Sequence, residues 1–264
     1  MTFSEETSST AVRRALAILE AVAARETGLT NSEISRKLAI PKSSASYILR
    51  TLETSGYLRR APGTGKYMLG LKVLGLSRGV QAGTDVREAA AAALRRLVDR
   101  TDLTAHLAIL DRGEAVYVEK VEPQTFVKMD TWVGRRMAVN ATGVGKALVA
   151  YLPDAEMDAV LRERGFVRRT LKTITSRSKF LRELEKVRER GYAVDDEENS
   201  LGARCVAAPV FDGSGRAIAA IGLTGTTTQI DKASVAKIAD LVKEAARKVS
   251  HHFGYREDLK RPRS

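Results

Sequence analysis

The sequence is poor in the residues that staple small domains or hold metals: it has one cysteine, Cys205, and three histidines. With one thiol, no disulfide framework can close within the chain, and a cysteine-based zinc site has no ligands to draw on. A lone cysteine suits a reducing compartment, and the cytoplasm is the expected location. His106, His251 and His252 lack a metal-ligating partner at a recognisable spacing, so no metal site is expected. No run approaches the roughly 18 to 20 apolar residues that a membrane span needs. Met1 to Thr10 carries Glu5 and Glu6 and no basic residue, which is unlike a secretory signal. No Ser-His-Asp set and no cofactor fingerprint is evident, so neither an enzyme nor a bound cofactor is expected.

What is present is length, apolar content and positive charge. The 264 residues fit two domains, and 44% hydrophobic content gives each a core. Lysine and arginine number 44 against 32 acids, a formal charge of +12, which favours an anionic partner such as nucleic acid. The excess is concentrated. From Arg36 to Lys72 there are eight basic residues and one acid, Glu53. Taken alone, such a run is also compatible with a solvated face.

Periodicity organises the first seventy residues. Val12, Ala15, Leu16, Leu19 and Val22 recur at helical spacing, predicting a helix over about 11–24. Gly28 breaks it. Thr30-Asn31-Ser32-Glu33 has the pattern of a capping box and opens a short helix with Ile34 and Leu38 on one face. Pro41 suits the start of the next helix, Lys42 to Ser55, which Gly56 ends. Its buried stripe is Ala45, Ile48, Leu49 and Leu52. The other side presents Lys42, Ser43, Ser44, Ser46, Tyr47 and Arg50. Two short helices, the second with a cationic exposed face, make a helix-turn-helix whose second helix suits the major groove. Tyr57 to Arg60 and Lys66 to Leu71, joined by Pro62-Gly63-Thr64-Gly65, form a hairpin wing with Arg59, Arg60 and Lys66 around its tip. The candidate DNA-contacting residues are thus Ser32, Lys42, Ser43, Ser44, Ser46, Tyr47, Arg50, Arg60 and Lys66. A protein-docking module has no need of this local charge.

Several segments resemble the IclR family of bacterial transcription regulators. In the N-terminal part they are Arg13 to Leu19, Ser32 to Leu38, Lys42-Ser43-Ser44 with Arg50 to Glu53, and Gly56-Tyr57-Leu58. Further on they are Gly143 to Leu148, Arg188 to Asp195, Glu197-Glu198 and Gly202 to Phe211. Their order and spacing are more specific than any one of them. The resemblance covers about residues 11–252. It implies an α+β chain: a winged helix-turn-helix over 10–71, a linker helix region over 72–86 and a GAF-like antiparallel sheet domain with packed helices over 87–254. A basic tail, 255–264, shows no apolar periodicity and is expected to be disordered.

The pattern of the second half agrees with such a domain. Asp85 to Glu88 resembles a second capping box. Strands are expected at Thr104 to Leu110, Ala115 to Val121, Arg204 to Phe211 and Arg216 to Leu223, with further extended segments in Phe126 to Val139. Helices are expected at Val144 to Tyr151, Asp154 to Glu163, Lys179 to Arg190 and Lys232 to His252. Ala141 to Lys146 is a glycine-containing loop entering a helix, where free amides attract an anion. It is not a Walker loop, since Asn140 and Ala147 stand where that motif needs Gly and Ser or Thr.

The resemblance implies effector contacts at the amides of Gly143 and Val144 and at the side chains of Asp195 and Cys205. A serine pair of some members falls on Gly222 and Thr224, and the family's Pro-Leu-His falls on Ala138-Val139-Asn140. The expected ligand is a small carboxylate, with Asp195 accepting from a ligand hydroxyl and Cys205 packing or weakly donating. On residue type alone, Cys205 reads more readily as a small core residue and Asp195 to Glu198 as a solvated acidic loop. The expected function is a ligand-responsive DNA-binding regulator, a repressor, with an activator of the same family or a ligand-free DNA- or protein-binding scaffold as the alternatives. The expected partners are double-stranded operator DNA, the effector and further copies of the chain in a homodimer or dimer of dimers, with no membrane partner.

Overall fold

The structure is a computed structural model that describes residues 10–77, 84–125 and 128–256. The chain forms two compact units, Met1–Gln81 and Ala82–Ser264.

In the first unit, α1 (Thr10–Ala23) buries Ile18, Ala21 and Val22. Helix α2 (Asn31–Leu38) opens on the expected capping box. Thr30 N donates to Glu33 Oε2 at 2.7 Å, and Glu33 N donates to Thr30 Oγ1 at 3.3 Å. The turn after α2 passes through Ala39 in the left-handed region, φ 51°. There Ser35 Oγ donates to Ile40 O at 2.6 Å and buried Ile40 plugs the core. Helix α3 (Lys42–Thr54) follows Pro41 and buries Ala45, Ile48, Leu49 and Leu52, the stripe its spacing predicts. Strands β1 (Leu58–Arg60) and β2 (Tyr67–Leu69) pair antiparallel, shorter than the sequence suggests. Leu29 forms an isolated antiparallel bridge to β2, exchanging both backbone hydrogen bonds with Tyr67 at 3.1 and 2.8 Å. Gly28 permits this approach: a Cβ there would lie 2.6 Å from Tyr67 O, and its φ is +71°. Helix α4 (Lys72–Ser77) ends the described part of this unit. The rest of the expected linker, 78–83, lies outside the described residues.

The second unit is one six-stranded antiparallel sheet between two helical layers. Its strands are β3 (Thr104–Asp111), β4 (Glu114–Val121), β5 (Arg136–Met137), β6 (Ala193–Asp196), β7 (Ala203–Phe211) and β8 (Ala217–Thr226), in the order β5-β4-β3-β8-β7-β6. Helices α5 (Thr84–Thr101) and α9 (Val235–His252) cover one face, with Leu94, Leu97, Val242 and Val249 packed on Leu107, Val206 and Ile221. Helices α6 (Gly143–Val149), α7 (Asp154–Arg164) and α8 (Arg177–Arg190) cover the other, where Leu148, Phe180 and Leu184 meet Ala108, Ala207 and Ala220. Each face takes alternate strand residues, as the period of two requires.

Three expectations need correction. Helix α5 begins at Thr84, so Asp85 lies within its first turn and not at its cap. Between 128 and 139 only Arg136–Met137 pairs as strand; Phe126 and Val127 lie outside the described residues. Tyr255 is not part of a loose tail. It is buried, its ring stacks on Phe211 at 4.9 Å, and its amide donates to Ser250 O at 3.0 Å. Residues 257–264 lie outside the described part.

Candidate functional site

The first candidate site is the face of α3 and the wing. Lys42, Ser46 and Arg50 project from one side of α3, one turn apart, and line a groove with Asn31, Ser32 and Arg60. Lys42 and Arg50 are exposed, and no carboxylate pairs with either among the described residues. Ser43, Ser44 and Tyr47 lie on the adjacent side of α3, facing the start of α1; Tyr47 is 76% exposed. In the wing, Arg60 folds back over the Tyr67 ring at 5.8 Å. The Lys66 charge helps hold the Glu33 carboxyl below its usual range, behind the larger effect of the Thr30 hydrogen bonds. The groove beside α3 carries three cations, Lys42, Arg50 and Arg60, and one acid, Glu53, a balance that suits a duplex backbone with a helix in the major groove.

The second candidate site lies on the α6 side of the large sheet. Sheet register sets Asp195, Cys205 and Thr224 side by side on neighbouring strands. Paired residues share a face, so all three point toward α6. The start of α6 closes over them. Thr142 caps it, its Oγ1 accepting from Gly145 N at 3.2 Å, and the amides of Gly143 and Val144 precede the first intrahelical bond. Cys205 sits in a tight slot: a Cβ on Gly143 would be 3.1 Å from its Sγ, and one on Gly222 would be 3.3 Å away. Both glycines therefore make room for the sulfur. Burial pushes the Cys205 thiol up to about 12, against smaller opposing effects of Thr224 and the Val144 amide. The thiol is neutral at ordinary pH and fits the packing role.

Asp195 is buried, not part of a solvated acidic loop. Its Oδ1 accepts from Glu198 N at 2.7 Å and Asn199 N at 3.2 Å. Burial raises it to about 7, with Lys146 and the backbone bonds opposing and Glu198 adding to the rise. Lys146 is fully buried and ion-pairs with Glu198 Oε1 at 2.5 Å while donating to Val194 O. Glu198 Oε2 is buried and has no hydrogen-bond partner among the described residues.

Sequence reading missed this pair. It also missed Asn140, whose side chain holds Val167 and Ile174 through three backbone bonds. The largest omission is His106. Its ring is buried, with Nε2 2.7 Å from Thr131 Oγ1 and Nδ1 3.4 Å from Thr224 Oγ1. Burial, then the Lys120 and Arg135 charges, lowers it to about 3, so the imidazole is neutral. No local pattern marks it: His106 meets Thr224 only because β3 pairs with β8. A separate open groove of about 550 Å³, lined by Tyr151, Arg188, Pro209, Phe211, Arg247 and Tyr255, contains none of the candidate DNA- or effector-contacting residues.

Two domain families match. Residues 11–62 match the IclR helix-turn-helix domain, and residues 79–251 match the bacterial transcriptional regulator IclR C-terminal domain. The chain belongs to the IclR family. It is 38% identical to the HTH-type transcriptional regulator XynR of Escherichia coli K12 over 92% of this chain and 97% of that one. Among solved structures, the Thermotoga maritima IclR superposes with a TM-score of 0.76 at 31% identity, covering 92% of this chain and 98% of that one. An IclR homolog from Microbacterium hydrocarbonoxydans, complexed with 4-hydroxybenzoate, shares the fold at a TM-score of 0.79 and 24% identity, covering 92% and 99%. As an IclR-family chain with both domains, the protein is a ligand-responsive DNA-binding transcriptional regulator. No helix among the described residues is long and apolar enough to cross a membrane.

Proposed function

We propose that the protein is a cytoplasmic repressor that binds a palindromic operator as a homodimer or dimer of dimers and changes its DNA affinity when a small organic acid fills the pocket of its second unit. One observation carries the DNA half of this reading. Lys42, Ser46 and Arg50 share one exposed side of α3 and line one groove with Ser32 and Arg60. On this reading Lys42 and Arg60 meet phosphates, Arg50 meets a phosphate or guanine, and Ser43, Ser44 and Tyr47 touch the adjoining strand, with Lys66 nearby. Occupying a promoter site is enough for repression. Pairing of chains is favoured by large apolar side chains left exposed in the first unit: Val12 and Leu16 on α1, and Leu71 and Leu76 at α4.

The effector half rests on the convergence of the Gly143 and Val144 amides, Asp195, Cys205, Gly222 and Thr224. The amides take a carboxylate, and Asp195 accepts from a ligand hydroxyl. The acid bound by the Microbacterium homolog carries both groups. The site reads as a binding pocket and not a catalytic one. His106 is neutral with both ring nitrogens at threonine hydroxyls, so it is not placed to activate the raised Cys205 thiol.

A tenfold effector response needs about 1.4 kcal/mol of coupling, and losing one hydrogen bond to a charged group costs about 1.5 to 3 kcal/mol. The test is fluorescence anisotropy on an operator selected from a random pool. Replacing both Lys42 and Arg50 with Ala weakens binding and lowers the salt slope by about one per lost phosphate contact. Unchanged operator affinity in that double variant would sink the placement of α3. Asp195→Ala keeps ligand-free DNA binding and loses most of the response to the acid.

A further inference from the structure

Tyr117 on β4 is 5% exposed, and among the described residues its hydroxyl makes no hydrogen bond, though that oxygen is not sealed from solvent. The Tyr117 side chain packs in the same buried cluster as Val144 and Cys205. After burial, the largest effects on the phenol come from Cys205 and Asp195, which raise it. A bulge between β3 and β4 aims it there. Ala108 pairs with Tyr117 and His106 with Lys120, so one extra residue on β4 puts Tyr117 and Lys120 on the same face as His106. The alanine opposite Tyr117 leaves its ring room. His106 stacks on that ring at 4.4 Å and 26°. The same imidazole holds Thr131 through Nε2 and meets Thr224 through Nδ1. Two hydroxyl-bearing residues of the pocket are therefore oriented by one neutral ring.

We infer that Tyr117 contacts the effector, hydrogen-bonding a hydroxyl on a small hydroxy acid, and that His106 is the positioning residue that holds Tyr117 and Thr224 toward it. This rests on the effector pocket of the proposed function. The chemistry follows from what remains open. Both backbone amides at Asp195 go to Oδ1, leaving the second carboxyl oxygen as an acceptor. An acceptor facing a phenol, which both donates and accepts, is matched by a hydroxyl, which also does both. An unsubstituted acid leaves both groups without a partner, and a site built this way rejects such an analogue strongly.

The test uses matched acids on the full chain by calorimetric titration: glycolate with acetate, gluconate with hexanoate, and 4-hydroxybenzoate with benzoate. The wild type prefers the hydroxylated member of at least one pair by tenfold or more. Tyr117→Phe keeps the ring and its stack, and cuts that preference to about twofold by weakening the hydroxylated acid alone. His106→Phe keeps a ring against Tyr117 but loses both nitrogens, and lowers the preference severalfold with the plain acid unaffected. Should Tyr117→Phe fail to fold, 3-fluorotyrosine at position 117 keeps the packing and changes the preference through hydroxyl acidity. A Tyr117→Phe protein with wild-type preference, or a wild type with no preference, overturns the inference. If Asp195→Ala still abolishes binding in that case, the pocket stands without Tyr117. If no acid binds the wild type, or Asp195→Ala binds as the wild type does, the effector reading itself fails.

Discussion

The substitution Asp195→Asn should make the second unit more stable at pH 8 and leave it nearly unchanged at pH 4. The native carboxyl titrates near 7, lifted from 3.8 chiefly by burial. Between those values the folded chain keeps a proton that the unfolded chain has released. Stability therefore falls as pH rises through this window and is level above it. At about 1.4 kcal/mol per unit, the full shift is worth of order 4 kcal/mol. The amide side chain of the variant cannot ionise, but its carbonyl can still accept from the backbone N–H groups of Glu198 and Asn199, so the local fold is kept. His106 pulls the other way. Lowered from 6.5 to about 3, it contributes a stability that is lost as pH falls below about 6.5, because the unfolded imidazole takes up a proton there. The two effects oppose between about pH 4 and 6.5, which hides both in the wild type. His106 is common to the two proteins, so their difference isolates Asp195. The assay is urea unfolding followed by tryptophan fluorescence, because the single tryptophan, Trp132, lies in the same unit as Asp195. The variant should gain on the wild type steadily from pH 4 to 7, then hold. A difference constant within about 0.5 kcal/mol across pH 5 to 8 would refute the buried, proton-holding account of Asp195.

Lys146→Met alone strands the Glu198 charge in the interior and should cost about 3 to 5 kcal/mol in the same assay, whereas adding Glu198→Leu should restore most of it; a double variant no better than the single one contradicts the pairing. Gly145→Ala should cost about 1 to 3 kcal/mol or more by overpacking, because the new Cβ would lie 2.5 Å from Val139 Cα and 2.8 Å from Val139 O; an unchanged urea midpoint would show that this loop yields without strain.

Local pattern alone determined the DNA-binding unit to within a few residues. Thr30 and Glu33 satisfy each other's backbone across three residues, Pro41 can only begin a helix, and the stripe from Ala45 to Leu52 needs no distant partner to be recognised. Those are short-range causes, so they are written in adjacent letters. The family motifs likewise pointed to Gly143, Val144, Asp195 and Cys205. What the sequence left open is decided across the sheet. Asp195 reads as a solvated acid beside three other acids until β6 pairs with β7 and buries it at Cys205. Lys146 and Glu198 are 52 positions apart, and only packing of α6 against β6 makes them a buried pair. Thr224 and His106 are 118 apart and meet because β8 lies beside β3. Tyr117 and Lys120 should alternate faces on a regular strand, and a single bulge puts them on the same one. Tyr255, which carries no apolar periodicity, is ordered by one ring beneath it. Helix and turn chemistry acts over three or four residues, but strand register, burial and the protonation states that follow from them depend on which segments meet, and only the folded chain sets that.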